Sequence, residues 1–431
     1  MTGTGTEADP YVITTLTDLQ NMNNDLDAYY VLGNDIDASG TAAWNGGEGF
    51  VPIGSSVAPF QGQFDGKGYT ITSLTIDRAA ETLVGLFGLV VEVGSALTIK
   101  DVTISGASIT GDDYTGAIAG LIQGDITVSG CTVSGTISAG DSGGGIVGDA
   151  SMGARISDCA STCTVGGDYY VAGIVGNAYN CTINKCLATG TLTGKGHVGG
   201  IAGNIDDCTL SECGANVDAT STRADNAAGH VGALVGYLRD STIENCYGRG
   251  SATGDDGNSS EGVGGLVGSD ATTASSTYTD SFAATTVSGY LTGGLIGYMD
   301  SDQTFSDCCW DTTTGGAVGV GESNSVSDPT ISGIDGYTRE TLLDDGIVST
   351  LGWTTATWDA VPGCNGGYPC LRNVNPCCMP HTQMDTIGDH TIVTEKPVLE
   401  LIRNVEVQLD GRFYIDKNGN AIYESRFHRS G

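Results

Sequence analysis

Three pairs of adjacent aspartates are the residues of this chain best suited by type to acid–base chemistry. Hydrolysis of a glycosidic bond needs two carboxylates flanking the scissile bond, and Asp112-Asp113, Asp206-Asp207 and Asp255-Asp256 bring such groups together. Each pair lies in a Gly/Ser-type turn, where acids are usually solvated, and adjacent side chains on a strand point to opposite faces. No His-Gly word follows any of the pairs. The pattern therefore favours a protein without catalysis.

Two histidines and two tyrosines recur at one position relative to a glycine-rich word that is described below. His197, His230, Tyr114 and Tyr170 each stand four residues before the apolar residue of that word. If this column faces solvent, it forms a stripe suited to stacking on sugar rings. If it faces inward, the rings stack on each other. The four residues are the candidate ligand-binding set.

Metal sites have weak support in the sequence. Asp35 and Asp37 point the same way if they lie on a strand, and carboxylates suit calcium, but one pair falls short of the six to eight oxygens that calcium prefers. No cofactor is expected, with calcium at this pair left open. A denser group of possible metal ligands near the C-terminal end consists of the cysteines Cys364, Cys370, Cys377 and Cys378. This group lacks the paired Cys-x-x-Cys spacing of a zinc site, so a cap held together by disulfides is favoured over zinc.

The elements that carry these residues are copies of one repeat. A word such as Val171-Ala-Gly-Ile-Val-Gly176 occurs eight times, and successive closing glycines lie 27 to 33 residues apart. Within each copy, three short β-type runs alternate with Gly, Asp, Asn and Ser turns. This periodicity predicts an all-β fold, a right-handed parallel β-helix or three-faced solenoid in which each copy is one coil.

A second column in the repeat is formed by cysteines ten or eleven residues after the closing glycine. The column predicts cysteines stacked from coil to coil. Buried thiols are the favoured state, with disulfides between coils or a metal as alternatives. Its members are Cys131, Cys159, Cys186, Cys213, Cys246 and Cys308.

Composition excludes some classes of function. The 431 residues include 51 acidic and 17 basic side chains, a formal charge of −34, and such a chain repels the phosphate backbone, so nucleic acid is not an expected partner. The excess of Asp and Gly predicts turns and few helices. No signal peptide is visible, and no apolar stretch indicates membrane insertion.

These motifs resemble the GLUG-repeat family of bacterial and archaeal surface proteins over residues 5–373. Tyr30-Val-Leu-Gly-Asn-Asp-Ile-Asp37 and Gly49-Phe-Val-Pro-Ile-Gly54 look like its opening coils, and Gly367-Tyr-Pro-Cys-Leu371 looks like its closing segment. The resemblance implies an adhesin-type β-solenoid at a cell surface. It also implies that Trp353 and Trp358 cover the open edge of the last coil.

The chain divides into four predicted regions. Residues 1–80 form N-terminal capping coils, 81–312 the repeat coils, 313–378 a closing coil with a Cys-rich cap, and 379–431 a C-terminal appendage. The appendage has a helical pattern over 396–405 and a hairpin around Asn418-Gly419. Its last 30 residues or so are weakly similar to phage-type tail and baseplate proteins.

Together these features favour a non-catalytic extracellular attachment solenoid that binds a glycan or a cell-surface ligand. It would lie at a cell or virion surface, alone, as a homo-oligomer or in a larger assembly. A tailspike-like polysaccharide-degrading enzyme and a purely structural rod are the alternatives.

Overall fold

The computed structural model shows an elongated stack of β-coils. It describes residues 1–223, 229–254, 262–271, 276–300, 303–316, 318–323, 332–344, 346–360, 365, 368–372 and 374, together with the backbone of four strands beyond residue 383. Within this part, four long sheets run along the stack, and every strand pair in them is parallel. The predicted parallel β-solenoid is confirmed.

We number the sheets in the order in which one coil visits them. Sheet I comprises Thr115–Gly116, Ser142–Gly144, Tyr170–Ala172, His197–Gly199, Val231–Gly232, Gly262–Gly264 and Leu291–Gly293. Sheet II comprises Phe87–Val91, Ala119–Gln123, Val147–Ser151, Val175–Tyr179, Ala202–Asp206, Val235–Arg239, Val267–Asp270, Ile296–Met299 and Val320–Ser323.

Sheets III and IV complete each coil and also extend into the N-terminal coils. Sheet III comprises Tyr11–Ile13, Tyr29–Leu32, Gln63–Asp65, Leu97–Lys100, Ile126–Ser129, Arg155–Ser157, Thr182–Asn184, Thr209–Ser211, Thr242–Glu244, Thr277–Thr279 and Thr304–Ser306. Sheet IV comprises Ile36–Asp37, Thr70–Thr72, Thr75–Asp77, Thr103–Thr110, Thr132–Ser138, Ala160–Ser161, Thr164–Gly166, Leu187–Gly194, Gly214–Ser221, Tyr247–Thr253, Phe282–Ser288, Cys308–Asp311 and Ile334–Tyr337.

Helices are short and lie at the two ends of the described chain. Leu16–Gln20 is an α-helix capped by Thr15, whose side chain accepts from the Asp18 amide. Two 3₁₀ segments and two further α-helices complete the set: Asn21–Asn24, Ser39–Gly47, Arg339–Leu342 and Ile347–Thr350.

The interior of the stack is filled by inward side chains that repeat from coil to coil, as in the register that pairs Ile156, Ile183 and Leu210. The predicted cysteine column lies in this core, and its members are free thiols. The alternative of disulfides between coils is therefore wrong for this column. Burial raises the pKa of Cys308, the last member of the column, to about 12. It also raises the pKa of Cys163, a buried thiol outside the column, to about 11.

These buried thiols should resist chemical modification in the folded protein. Ten described cysteines are free and at most 5% exposed, and thiol reagents attack the exposed thiolate. We expect an alkylating agent to leave all ten unlabelled in the native protein and to label all ten in denaturant. Mass spectrometry of the labelled peptides measures the labelling. Labelling of Cys186 in the native state would contradict the burial of the cysteine column.

A column of turn residues in the left-handed region precedes the cysteine column. Asp101, Asp158, Asn245, Asp280 and Asp307 lie there with φ between 48° and 55°. Asn and Asp tolerate this conformation better than other non-glycine residues, because their short side chains bond locally. The turns therefore explain part of the excess of aspartate in the composition.

The glycines that close each word serve a different purpose. Gly176, Gly203 and Gly236 do not have positive φ, yet a Cβ atom on Gly203 would lie 2.7 Å from the backbone nitrogen of Val171 in the preceding coil. Sheet II thus crosses sheet I at a separation that admits no side chain. Close approach, rather than a left-handed turn, explains why the word needs glycine.

The aromatic segment near the C-terminal end lies on the side of the stack. Trp358 donates through Nε1 to Asn245 Oδ1 at 2.9 Å, and Arg249 donates to the Asn365 carbonyl oxygen at 2.6 Å. Trp353 and Trp358 also pack with Phe282 on the outer face of sheet IV. Trp353 Nε1 donates to the Asp307 carbonyl oxygen on the last repeat coil at 2.8 Å, whereas Trp358 bonds to an earlier coil. The expectation that these tryptophans cover the open edge of the last coil stays a prediction.

The same segment holds part of the predicted cysteine cap. Trp358–Asp359 pairs antiparallel with Cys370–Leu371, and Cys370 is disulfide-bonded. Cys364, Cys377 and Cys378 lie outside the described residues, so the pairing stays a prediction.

Two antiparallel hairpins lie beyond residue 383. The first joins Met384–Ile387 to His390–Val393, and the second joins Gly411–Ile415 to Ala421–Ser425 around the predicted Asn418-Gly419 turn. The helix predicted over 396–405 and the turn itself lie outside the described residues.

Candidate functional site

Two columns of outward side chains meet where sheets I and II join. One column precedes the glycine-rich word, and the other directly follows its closing glycine. The rings of His197 on sheet I and Tyr237 on sheet II stack with centroids 4.8 Å apart, so the two columns pack against each other at this junction. We call the two columns the groove: Tyr114, Ser142, Tyr170, His197 and His230 from sheet I, and Asp149, Asn177, Asn204, Tyr237 and Ser269 from sheet II.

The close approach of the two sheets sets which groove residues face each other. Gly203, directly before Asn204, would place a Cβ atom 2.9 Å from the carbonyl carbon of Tyr170, one coil earlier. A Cβ atom on Gly236, directly before Tyr237, would likewise lie 3.0 Å from the carbonyl carbon of His197. Each sheet II residue therefore faces the sheet I residue of the preceding coil. The groove consists of five such cross-junction pairs.

The predicted column of rings is a continuous stack over three coils. The imidazoles of His197 and His230 are 5.1 Å apart and nearly parallel, at 3°, and Tyr170 stacks on His197 at 5.6 Å. Tyr237 adds a second contact to each histidine. The ring faces are thus turned toward each other, and only ring edges are left for a ligand. Tyr114 lies in the same column beyond Ser142 and joins no such stack among the described residues.

Burial keeps the two histidines neutral. His197 and His230 are 7% and 6% exposed. Desolvation lowers the pKa of His230 to about 4 and holds the pKa of His197 well below its usual range, with the neighbouring His230 adding to the effect. His230 Nδ1 accepts a hydrogen bond from the Gly262 amide at 3.0 Å. Because their pKa values are lowered, both imidazoles are weak bases near neutral pH.

A ladder of polar side chains runs along the sheet II side of the groove. Asn204 Nδ2 donates to Asn177 Oδ1 at 2.7 Å, and Asn177 Nδ2 donates to Asp149 Oδ2 at 2.6 Å. Burial raises the pKa of Asp149 to about 6, against the opposing effect of the Asn177 hydrogen bond. Sequence reasoning missed these residues, although their position directly after each closing glycine could have revealed the column.

Further carboxylates lie beside Tyr114 at one end of the groove. Burial, followed by the charges of Asp149, Asp113 and Asp141, raises the pKa of the Tyr114 phenol. The pKa of Asp141 is itself raised by burial and by neighbouring acids. Of the predicted aspartate pairs, Asp112-Asp113 thus lies at the Tyr114 end of the groove.

The other two aspartate pairs are Asp206-Asp207 and Asp255-Asp256. Asp206 bonds to Arg239, which engages both carboxylate oxygens, while Asp207 is a left-handed turn residue. Asp255-Asp256 lies outside the described residues. Beside the groove, Lys195 pairs with Asp168 at 2.7 Å. The side chains of Arg239 and Lys195 are therefore each paired with an adjacent carboxylate.

Two tyrosines stand at the rim of the groove. Tyr179 follows Asn177 by two residues on the same strand, so it lies on the same face, and it is 51% exposed. Tyr169 is 37% exposed and packs edge-on against Tyr170 and His197. Unlike the stacked rings of the floor, Tyr179 has a face available for a ligand.

Asp35 and Asp37 bond to backbone amides. Asp35 Oδ1 accepts from the Thr70 amide at 2.8 Å and Asp37 Oδ1 from the Ser39 amide at 2.9 Å. In the described part of the chain, no group of three or more His, Cys, Asp or Glu residues is arranged to hold a metal ion. Calcium at this pair stays a prediction.

Two curated proteins are similar to part of the chain. Halomucin from Haloquadratum walsbyi is 44% identical over 126 residues, which cover 27% of this chain and 1% of halomucin. A provisionally named Gly-rich membrane protein from Evansella cellulosilytica is 37% identical over 124 residues, which cover 26% of this chain and 14% of that protein. The chain thus spans a small fraction of the length of either relative.

Comparison with solved structures gives two distant likenesses. A provisionally assigned immunoglobulin A1 protease from Bacteroides ovatus shares 22% identity at a TM-score of 0.46, covering 86% of this chain and 94% of that one. An IgA1 protease shares 15% identity at a TM-score of 0.34, covering 77% of this chain and 26% of that one. At these scores, the assignment of the fold depends on the strand pairing described above.

No protein-family model matches the chain. The resemblance to the GLUG-repeat family and the similarity to phage tail proteins therefore stay predictions. None of the helices in the described part of the chain is long and apolar enough to span a bilayer.

Proposed function

We propose that this chain is a β-solenoid segment of an extracellular surface protein that attaches to a glycan through the groove without cleaving it. The carrying observation is the row of hydrogen-bonding side chains along the groove, with Asn177, Asn204 and Tyr237 partly exposed. Amide and phenol groups in a row along the stack suit a hydroxyl-rich ligand, because each can donate and accept.

The sequence and the comparisons support a surface location. The formal charge of −34 keeps a protein soluble and unassociated. One curated relative is a membrane protein by name, and the motifs resemble a family of surface proteins. We infer a place at a cell surface, with a virion surface as the alternative from the C-terminal similarity.

Replacing the rim tyrosine should test this function without disturbing the stacked floor. Tyr179→Ala removes an exposed ring face from the groove, and we expect affinity for the bound glycan to fall about tenfold, near 1.4 kcal/mol. A glycan array identifies ligands of the intact chain, and titration calorimetry on the best of them gives the affinities.

Tyr290→Ala is the matched control. Tyr290 is 57% exposed and lies four coils beyond Tyr170, so its loss should leave affinity unchanged. Equal loss in both variants, or no binding of any glycan by the intact chain, would contradict the proposed function.

A polysaccharide-degrading activity is the second candidate, favoured by one observation. Asp149 is a buried carboxyl with a pKa raised to about 6, and it lies near Tyr114, whose phenol is also influenced by the charges of Asp113 and Asp141. A carboxyl held partly protonated can act as a general acid. Measuring the release of reducing ends from every glycan that binds separates the candidates, because release that is lost in Asp149→Asn would establish the enzyme.

A further inference from the structure

The groove repeats its chemistry at the spacing of the coils. The five cross-junction pairs are Tyr114 with Asp149, Ser142 with Asn177, Tyr170 with Asn204, His197 with Tyr237, and His230 with Ser269. Adjacent parallel strands lie about 4.8 Å apart, which is close to the length of one sugar unit in an extended polysaccharide. Hydrogen-bonding side chains of differing type therefore recur at intervals close to the repeat of such a chain.

The groove also has an electrostatic preference. Its buried floor holds neutral imidazoles at His197 and His230. Of the cations beside it, Lys195 and Arg239 are paired with Asp168 and Asp206, and Arg223 lies over the Tyr169 ring. Acids surround the Tyr114 end. These acids would repel an anionic chain, whereas a neutral chain would not be repelled.

Two buried polar atoms in the groove are left without partners. Among the described residues, neither His197 Nδ1 nor Ser269 Oγ has a hydrogen-bond partner, and Ser269 is 1% exposed. Buried polar groups in native proteins are nearly always bonded. Both atoms lie beside Tyr237, which faces His197 across the junction and pairs with Ser269 on the next strand, so the described residues leave polar atoms unsatisfied at this part of the groove.

The amide ladder gives the groove a direction. Asn204 donates to Asn177, and Asn177 donates to Asp149, so each bond runs toward the N-terminal end of the stack. The amide hydrogens and oxygens left over on Asn177 and Asn204 are therefore presented in the same order at these two coils. A ligand with two different ends would meet this order in one orientation only.

We propose that the groove takes an extended, neutral polysaccharide lying along the solenoid axis, with one sugar unit at each coil from the Tyr114 pair to the His230 pair. This rests on the proposed function and adds the ligand's charge, its direction and the number of units bound. The aromatic edges and amides act as hydrogen-bonding partners of the sugar hydroxyls, and Tyr179 provides the stacking face at the rim.

The test is a length series measured by titration calorimetry on the full chain. The probes are β-1,4-linked oligomers of glucose and of N-acetylglucosamine, two to eight units long, with oligogalacturonides of the same lengths as the anionic set. We expect affinity to rise with each unit up to about five, one for each cross-junction pair at the strand spacing, and then to level off. The anionic set should not bind.

Asn177→Ala interrupts the ladder and should weaken binding of the five-unit probe about tenfold while leaving the two-unit probe little changed. Asn184→Ala is the matched control, since Asn184 bonds to Ser211 Oγ at 2.8 Å on sheet III, away from the groove. Affinity that is independent of length, preference for the anionic set, or equal effects of the two variants would overturn this proposal. If the array finds glycan ligands but this series fails, the proposed function survives and the axial arrangement does not.

Discussion

Gly203→Ala should lower the free energy of unfolding by about 3 kcal/mol, the upper part of the range for forcing atoms into a packed site. The added Cβ would lie 2.7 Å from both the Val171 nitrogen and the Gly176 oxygen. Both are backbone atoms held in sheet ladders, so neither can rotate away. The strain would separate sheets I and II at the Tyr170 and Asn204 pair. Urea denaturation followed by circular dichroism measures the change.

Gly166→Ala is the matched control for this prediction. Gly166 also lies in a strand without positive φ, but a Cβ atom there would meet nothing within 4 Å. We expect its stability to be unchanged or raised by up to about 1 kcal/mol, because alanine restricts the unfolded chain. If both variants lose the same stability, crossing of the two sheets does not explain the conserved form of the word across the eight coils.

The buried histidines should make the fold sensitive to acid. A lowered pKa means that the unfolded state binds the proton first, so stability falls as pH drops from about 6.5, the unfolded value, to the folded value. For His230 the pKa falls from 6.5 to about 4, which amounts to roughly 3 kcal/mol at 1.36 kcal/mol per unit. His197 shifts in the same direction. Urea midpoints at pH 7 and pH 4 should therefore differ strongly.

Asp149 acts against this loss and supplies the control. Its pKa is raised from 3.8 to about 6, so protonation between pH 6 and 3.8 favours the folded state. Asp149→Asn should remove this compensation and steepen the loss of stability on acidification. His230→Asn should make the loss shallower, whatever the fixed cost of the missing ring. If plots of the free energy of unfolding against pH for both variants run parallel to that of the unsubstituted chain, neither group titrates as the structure implies.

Several features of the fold follow from sequence because they repeat. The glycine-rich word predicted the coils, and the shared position of His197 and His230 placed them in one column that the structure stacks at 5.1 Å. The inward cysteines followed from their regular distance from Gly176 and its equivalents. In each case a fixed spacing along the chain becomes a fixed position in the stack.

The groove itself could not be predicted in full, because its second column varies in residue type. Asn177 and Tyr237 occupy equivalent positions, yet they share little chemistry. The offset of one coil between the facing columns comes from the close approach of Gly203 and Gly236 to the preceding coil, which no spacing records. Similarly, the contact of Trp358 with Asn245 joins residues 113 positions apart, and nothing in either segment indicates the other.

Because every coil donates its backbone bonds to its two neighbours in the same register, the coil is also a natural unit of genetic change. Duplicating the stretch between two closing glycines would extend the rod by one layer, about 4.8 Å, and would add one cross-junction pair to the groove while leaving both ends intact. A duplication that begins and ends elsewhere in the coil would be tolerated only if it preserved this phase. Recombination alone can therefore change the length of such a rod in whole coils.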